Sequence, residues 1–293
     1  MIYTLTFSPS IDYYMNVLDF KDGTINRSVS DQLVVGGKGI NVSKVLKQLD
    51  TESVAIGFIS SFTGDYLKEE LDKEGIKNKL INAKGTTRIN VKIISNNETA
   101  INSNSLIITN EEIDILYEAL KLVNKDDYLI ISGSVPSTAN LEDLFKHLNK
   151  DVIVVLDVDY NIRPLLIHKP FLIKPNRDEL GRMFNKKIDS VEDAISYARI
   201  LKQEGAENII VSLDKDGALL IDKTDKIYYN KGKNIEVVST VGAGDSLVAG
   251  FIYSYINNYS IEEAFNFGVT CSQAACLTNA LPNKILINKI KEI

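Results

Sequence analysis

Residues 239–246 read Ser-Thr-Val-Gly-Ala-Gly-Asp-Ser and run into an apolar stretch from Leu247 to Ile256. Gly242 and Gly244 allow a tight backbone turn and leave peptide N–H groups open to an anion. If the apolar stretch is a helix, its first turn adds unpaired donors and the positive end of the macrodipole, which together make a seat for phosphate. Asp245 sits at the mouth of that seat. A carboxylate beside an anion hole is electrostatically awkward, and the chemistry that suits it is acceptance of a proton from a hydroxyl attacking phosphorus. Gly242, Ala243, Gly244 and Asp245 are thus candidate catalytic residues. The competing interpretation is an ordinary strand-to-helix turn capped by Asp245, since so short a motif also arises without function.

A second glycine-rich entry to a helix, Gly36-Gly37-Lys38-Gly39-Ile40-Asn41-Val42-Ser43, has Val42, Val45, Leu46 and Leu49 at helical spacing behind it. It is not a Walker A loop, because Gly39 follows Lys38 where Ser or Thr is required. Lys38 and Asn41 would face whatever approaches that helix start, or Lys38 is a solvated charge. Asp12, just after Ser8-Pro9-Ser10, is placed either to accept hydrogen bonds from a polyol or to form an Asx turn. In residues 86–94, Ile89, Val91 and Ile93 alternate with Arg88, Asn90 and Lys92, giving a half-buried strand with a cationic face. Arg88 there can grip a phosphate with its planar fork, or simply lie in water.

The elements needed to position these residues form a regular succession. Residues 2–7 predict a first strand and residues 13–35 a two-stranded excursion broken at Asp22-Gly23. A strand at Val54–Ile59 and a helix from about Asp65 to Glu74 follow. A helix through Ile113, Leu116, Leu120 and Val123 precedes a strand at Tyr128–Ser132, which ends in a loop with Ser134. Near-continuously apolar Val152–Asp157 reads as a central parallel strand. A short strand at 171–173 ends at Lys174-Pro175-Asn176, Ser190 and Asp193 form a capping box, and Ile209–Ser212 leads to a hairpin near Lys223-Thr224-Asp225. The pattern predicts an α/β fold with one doubly wound, mainly parallel sheet flanked by helices, and a small β-sheet lid. Asp12, the Gly36–Asn41 segment, Ser134, Asn176 with Glu179, Ser212 and Asp245 all follow predicted strands, so they should meet along one sheet edge.

The chain has 293 residues and a formal net charge of −6. That acidity disfavours nucleic acid and anionic lipid as partners, so an anionic ligand must be held by a few placed cations. No apolar run approaches a membrane span and the start lacks a signal pattern, which predicts a cytoplasmic protein. Cys271 and Cys276 lack metal or disulfide spacing and read as small buried hydrophobes. His147 and His168 have no nucleophile motif nearby, which disfavours a hydrolase triad.

Over essentially its whole length the sequence resembles the ribokinase-like sugar kinases of the phosphofructokinase B family. The matching blocks are Gly36–Ser43, Gly133-Ser134-Val135-Pro136, Lys174-Pro175-Asn176-Arg177-Asp178-Glu179-Leu180 and Ser239–Ser246. The resemblance implies a single domain over 1–293 with a lid from about 12–35 and 86–105, and ATP and Mg²⁺ as cofactors. It implies Gly242–Gly244 as the anion hole, Asp245 as the base, and Asn176 and Glu179 as organisers of the magnesium. Lys174, Asn176, the loop from Ser212 through Gly217, and Gly244 would serve the nucleotide. Within the family the chain looks most like the 1-phosphofructokinase and tagatose-6-phosphate kinase branch, closer to the former. That implies fructose 1-phosphate as acceptor, with Asp12, Gly36, Gly37, Asn41, Asn90 and Ser134 around the sugar and Lys38 with Arg88 on its phosphate. Two positions depart from the pattern: Ala100 stands where the lid strand usually carries Glu, and Asp214 where the nucleotide loop usually has Gly. The alternatives are tagatose-6-phosphate kinase, a dinucleotide-binding oxidoreductase, which the lack of a third glycine disfavours, and a non-catalytic sugar-phosphate sensor. The exposed lid edge suits a homodimer.

Overall fold

Alternation along the apolar strands decides the layering. In β8 (Tyr128–Ser134), β9 (Ile153–Asp159) and β11 (Asn208–Ser212), Leu129, Ile131, Val154, Leu156, Ile209 and Val211 face one hydrophobic layer, while Ile130, Val155 and Ile210 face another. A strand buried on both faces needs helices on both sides. The first layer is closed by α3 (Asn110–Leu120), α4 (Leu141–His147), α5 (Arg177–Phe184) and α6 (Val191–Glu204). The second is closed by α1 (Lys38–Gln48), α7 (Ala243–Ile256), α8 (Ile261–Ala275) and α9 (Lys284–Glu292). The structure is a computed structural model that describes residues 1–104 and 106–292.

The main sheet has the order β13-β12-β11-β10-β9-β8-β1-β4-β5. It adds β1 (Ile2–Thr6), β4 (Val54–Ile59), β5 (Lys77–Asn82), β10 (Leu172–Ile173), β12 (Ala218–Ile221) and β13 (Ile227–Asn230) to the strands above. It is parallel from β11 to β5, and the β12–β13 hairpin closes the other edge antiparallel. The smaller sheet, ordered β3-β2-β6-β7, comprises β2 (Ser10–Val17), β3 (Ser28–Gly36), β6 (Arg88–Ile94) and β7 (Glu98–Ile101). Its inner face packs through Ile11, Val35 and Ile89 on a third cluster with α2 (Ser61–Lys73), so the lid is anchored at its base. Residue 105, the last of the expected lid segment, lies outside the described residues.

Three expectations are adjusted. Helix α2 begins at Ser61, four residues before the expected start. Strand β5 was not foreseen, because Lys-Asn-Lys-Leu-Ile-Asn puts lysines where a buried strand would carry apolar residues, and such charges suit a sheet edge. Lid strand β2 begins at Ser10, two residues before the expected start of the lid, so Asp12 lies inside the strand. Among the described residues no helix is long and apolar enough to cross a membrane.

Helix α7 is apolar on nearly every side because it is packed against the sheet and against α8. The two helices meet at glycines. A Cβ on Gly250 would lie 2.7 Å from Cys271 Sγ, and one on Gly268 would lie 2.8 Å from Leu247 O. The crossing fixes where α7 begins, and hence the Gly-Ala-Gly-Asp turn. Gly268→Val should therefore destabilise the protein by about 2 kcal/mol or more through overpacking, read as a lowered urea midpoint. The same substitution at exposed Lys289 should be nearly silent.

Candidate active site

The turn before α7 is tight and leaves backbone donors open at the helix start. Gly242 is left-handed at φ 74°, and a Cβ there would also meet Leu281 Cδ2 at 2.5 Å. Ala243 N–H donates to Thr240 O (3.3 Å) and Ser246 N–H to Gly242 O (2.9 Å). Among the described residues the intervening N–H groups of Gly244 and Asp245 find no acceptor, as expected of a helix's first turn. Asp245 is only 5% exposed, and its Oδ2 accepts a hydrogen bond from Asn41 Nδ2 at 2.7 Å. This bond joins the two glycine-rich helix starts, α1 and α7. Burial pushes the Asp245 carboxyl up to about 6, reinforced by the charge of Asp157 and opposed by the Asn41 hydrogen bond and by Lys38 and Lys174.

Beneath this pair the cations converge on one acid. Lys38 Nζ lies 3.3 Å and Lys174 Nζ 3.2 Å from Asp157 Oδ1, and Lys38 Nζ is 3.7 Å from Glu179 Oε1. Burial alone would lower the Lys38 pKa, but Asp157, Glu179 and Asp245 outweigh it and hold the ammonium above its ordinary value. Lys174 Nζ lies 3.2 Å from the position a Cβ on Gly244 would take, so this cation overhangs the first turn of α7.

The lid brings a second group of polar side chains to the cleft. Asp12 Oδ1 accepts from Asn90 Nδ2 (2.7 Å) and Ser10 Oγ (3.2 Å), while Asn90 Oδ1 accepts from Ser103 N–H (3.3 Å). Arg88 Nη2 donates to Ser8 O at 3.1 Å, and its buried Nε has no partner among the described residues. A Cβ on Gly36 would stand 3.2 Å from Asn41 Oδ1 and 3.7 Å from Asp12 Oδ2, so glycine keeps these two groups within reach of one ligand.

At the other end of the cleft, Asn176 and Ser212 are bridged as neighbouring parallel backbone, and Ser212 N–H donates to Pro175 O (3.2 Å). Asn176 caps α5: its Oδ1 accepts from Glu179 N–H (2.7 Å), while Glu179 Oε2 accepts from Asn176 N–H (2.8 Å). The cap uses Glu179 Oε2 and leaves Oε1 with only the Lys38 ammonium at 3.7 Å among the described residues, and Asp157 Oδ2 is buried without a partner among them. A hard oxygen such as Glu179 Oε1 suits magnesium that keeps most of its waters. No cluster of three His, Cys, Asp or Glu able to hold a metal occurs among the described residues. Asp214 takes a left-handed φ of 51°, a conformation glycine adopts freely and Asp tolerates, so the departure there preserves the turn. Ala100 pairs with Lys92 across β6 and β7, and Lys92, with no acidic neighbour opposite, donates to Asn102 Oδ1 (3.2 Å).

These groups open on a cleft of about 800 Å³. Asp12, Gly37, Lys38, Asn41, Arg88, Asn90, Lys174, Asn176, Ser212, Gly217, Gly242, Ala243, Gly244 and Asp245 all line it. Gly36 and Glu179 stand just behind the lining through Asn41 and Lys38, whereas Ser134 is an exposed residue at the end of β8 that does not line the cleft. Sequence reasoning overlooked Asp157 and left Lys92 without a role. The signal for Asp157 was available: it is an acid at the carboxyl end of an apolar central strand, on the edge where the other candidates gather. The outer cleft adds Ile235, Val237 and Val269, an apolar wall suited to a flat ring.

Residues 5–283 match the model of the pfkB family carbohydrate kinases. The chain is 41% identical over 287 residues to 1-phosphofructokinase of Borreliella burgdorferi, covering 96% of this chain and 93% of that protein. It is 31% identical over 290 residues to D-tagatose-1-phosphate kinase of Bacillus licheniformis, covering 96% and 94%. Among solved structures, phosphofructokinase-2 from Escherichia coli in complex with substrates and products superposes with a TM-score of 0.91 at 27% identity, over 99% of this chain and 98% of that one.

A base must be ionised to work, so kcat/KM should fall about tenfold per pH unit below pH about 6, the value of the Asp245 carboxyl. Because the folded pKa lies above the ordinary carboxylate value of 3.8, the ionised side chain costs stability in full above pH about 6, and that cost shrinks as pH falls below about 6 until it is gone near pH 3.8. Asp245→Asn should accordingly lower turnover by roughly 10²–10⁴ while raising Tm at pH 7.5, measured by steady-state kinetics and thermal unfolding. Unchanged turnover would remove Asp245 from the chemistry.

Proposed function

The chain belongs to the pfkB family of carbohydrate kinases, and we propose that it transfers the terminal phosphoryl group of ATP to the C6 hydroxyl of fructose 1-phosphate, yielding fructose 1,6-bisphosphate and ADP. The observation that carries the reaction type is the buried Asp245 carboxylate at the open first turn of α7. Asp245 takes the proton of the attacking hydroxyl, and the N–H groups of Gly244 and Asp245 stabilise charge on the phosphoryl oxygens. Asn41 keeps the carboxylate aimed. Magnesium, held through Glu179 with Asn176 fixing that side chain, would neutralise charge on the triphosphate. The loop from Ser212 to Gly217 and the Ile235–Val237 wall take the nucleoside.

Support for the acceptor comes from the relatives' names and from the lid. Asp12 and Asn90 form a hydrogen-bonded pair suited to sugar hydroxyls, and Arg88 has an unpaired Nε for a phosphate the substrate already carries. Lys38, held on Asp157 and Glu179, serves the transferring group more directly than the resident phosphate, leaving Arg88 as the main grip on the latter. The tagatose-1-phosphate kinase among the relatives makes a tagatose phosphate the second reading. The protein is taken to work in the cytoplasm as one catalytic unit, with exposed Val29 and Leu33 on outer lid strand β3 supporting a homodimer through the lids.

ADP release should be fastest with fructose 1-phosphate among fructose 1-phosphate, fructose 6-phosphate, tagatose 1-phosphate, tagatose 6-phosphate and fructose. Arg88→Met should raise KM for fructose 1-phosphate roughly 50-fold or more with kcat little changed, because it removes binding energy common to ground and transition states. Higher kcat/KM on a tagatose phosphate would replace the named sugar. No ADP release with any of them would overturn the kinase assignment to phosphorylated sugars.

A further inference from the structure

Asp157 lies in β9, two residues before its end, is 1% exposed, and takes part in no step of the transfer described above. A single oxygen, Oδ1, faces two ammonium groups: Lys38 from the start of α1 and Lys174 from the residue after β10. Two cations drawn to one point repel each other, so without the carboxylate they would swing apart. The other oxygen is buried and unpaired among the described residues, an arrangement that costs stability and that an apolar side chain of similar size would avoid. A fold tolerates such a group where the charge serves a purpose. Lys174 overhangs the first turn of α7, and Lys38 is close enough to Asp245 to bear on its carboxyl, so the position of both cations relative to the anion seat depends on this acid.

We propose that Asp157 is a positioning residue for phosphoryl transfer, holding the Lys38 and Lys174 ammonium groups together beside the α7 anion seat so that both meet the phosphoryl group as it passes. The inference rests on the kinase reading but not on which sugar is phosphorylated. A cation free to follow the bound nucleotide strengthens ground-state binding, whereas one fixed where charge develops lowers the barrier. Neutralising Asp157 should therefore move affinity and rate in opposite directions, which a merely structural residue would not do.

The test uses Asp157→Asn, Lys174→Met and the double variant, assayed at saturating ATP and magnesium with whichever sugar phosphate the wild type turns over fastest. Asp157→Asn should lower kcat roughly 30-fold or more, with KM for the sugar phosphate within about threefold of wild type. Calorimetric titration with ADP in EDTA, which needs neither sugar nor metal, should show binding about threefold or more tighter than wild type. Because the acid acts through the lysines, the double variant should be no more than about threefold slower than the slower single variant. The proposal is overturned by kcat within about threefold of wild type, by multiplicative effects in the double variant, or by weakened ADP binding alongside the lost rate. Should Asp157→Asn not fold, Lys38→Met and Lys174→Met, singly and together, carry the test: cations sharing one anchor must be non-additive by about tenfold, and additivity overturns the proposal. Wild-type inactivity toward every sugar phosphate counts against the proposed function instead, and the ADP titration still tests the role of Asp157.

Discussion

A carboxylate kept out of water at the positive end of a helix is the constraint on which the rest of this structure depends. Asp245 is destabilised by burial and by Asp157, and it is restrained by an amide from another helix and by two lysines. Each opposing influence comes from a different part of the chain: Asn41 and Lys38 from α1, Lys174 from the residue after β10, Asp157 from β9. The balance leaves an acid whose pKa of about 6 lies just below neutrality, so it is ionised near pH 7 yet basic enough to take a proton. No single segment could set that value.

The fold supplies what the balance needs. Parallel strands place their carboxyl ends on one edge, so loops distant in sequence arrive at one cleft. The α7–α8 contact at Gly250 and Gly268 fixes the depth at which the Gly-Ala-Gly-Asp turn emerges. The lid sheet is seated on α2 through Ile11, Val35 and Ile89, and from there it brings Asp12, Asn90 and Arg88 over the cleft. One side of the cleft thus gathers the Gly-Ala-Gly-Asp turn with its two lysines, and the other the lid's Asp12, Asn90 and Arg88.

Much of this was legible in the sequence. The apolar runs at 128–132, 152–157 and 209–212 announced central strands because a strand buried on both faces has no polar alternation to hide it. The Gly-Ala-Gly-Asp turn and Gly36–Asn41 element announced helix starts suited to anions, and both line the cleft. What was not legible depended on partners remote in sequence. Asp157 looks like the end of a strand until two lysines, 119 residues before it in one case, meet its oxygen. Strand β5 reads as a polar loop until its lysines are seen to lie on a sheet edge. The side chain of Asn176 could be foreseen near the nucleotide, but its commitment to capping α5 required the geometry of Glu179. Ser134, by contrast, reads as a residue just past a strand, and yet it is the exposed last residue of β8 and does not line the cleft.

The central claim is that Asp245 acts as a base in one direct displacement at phosphorus, not as a nucleophile that is itself phosphorylated. The most direct test is the stereochemical course of transfer from ATP made chiral at the γ-phosphorus with oxygen isotopes. Direct in-line attack by the sugar hydroxyl predicts inversion of configuration in the sugar phosphate product. Retention would require two successive displacements through a phosphorylated enzyme and would contradict the account.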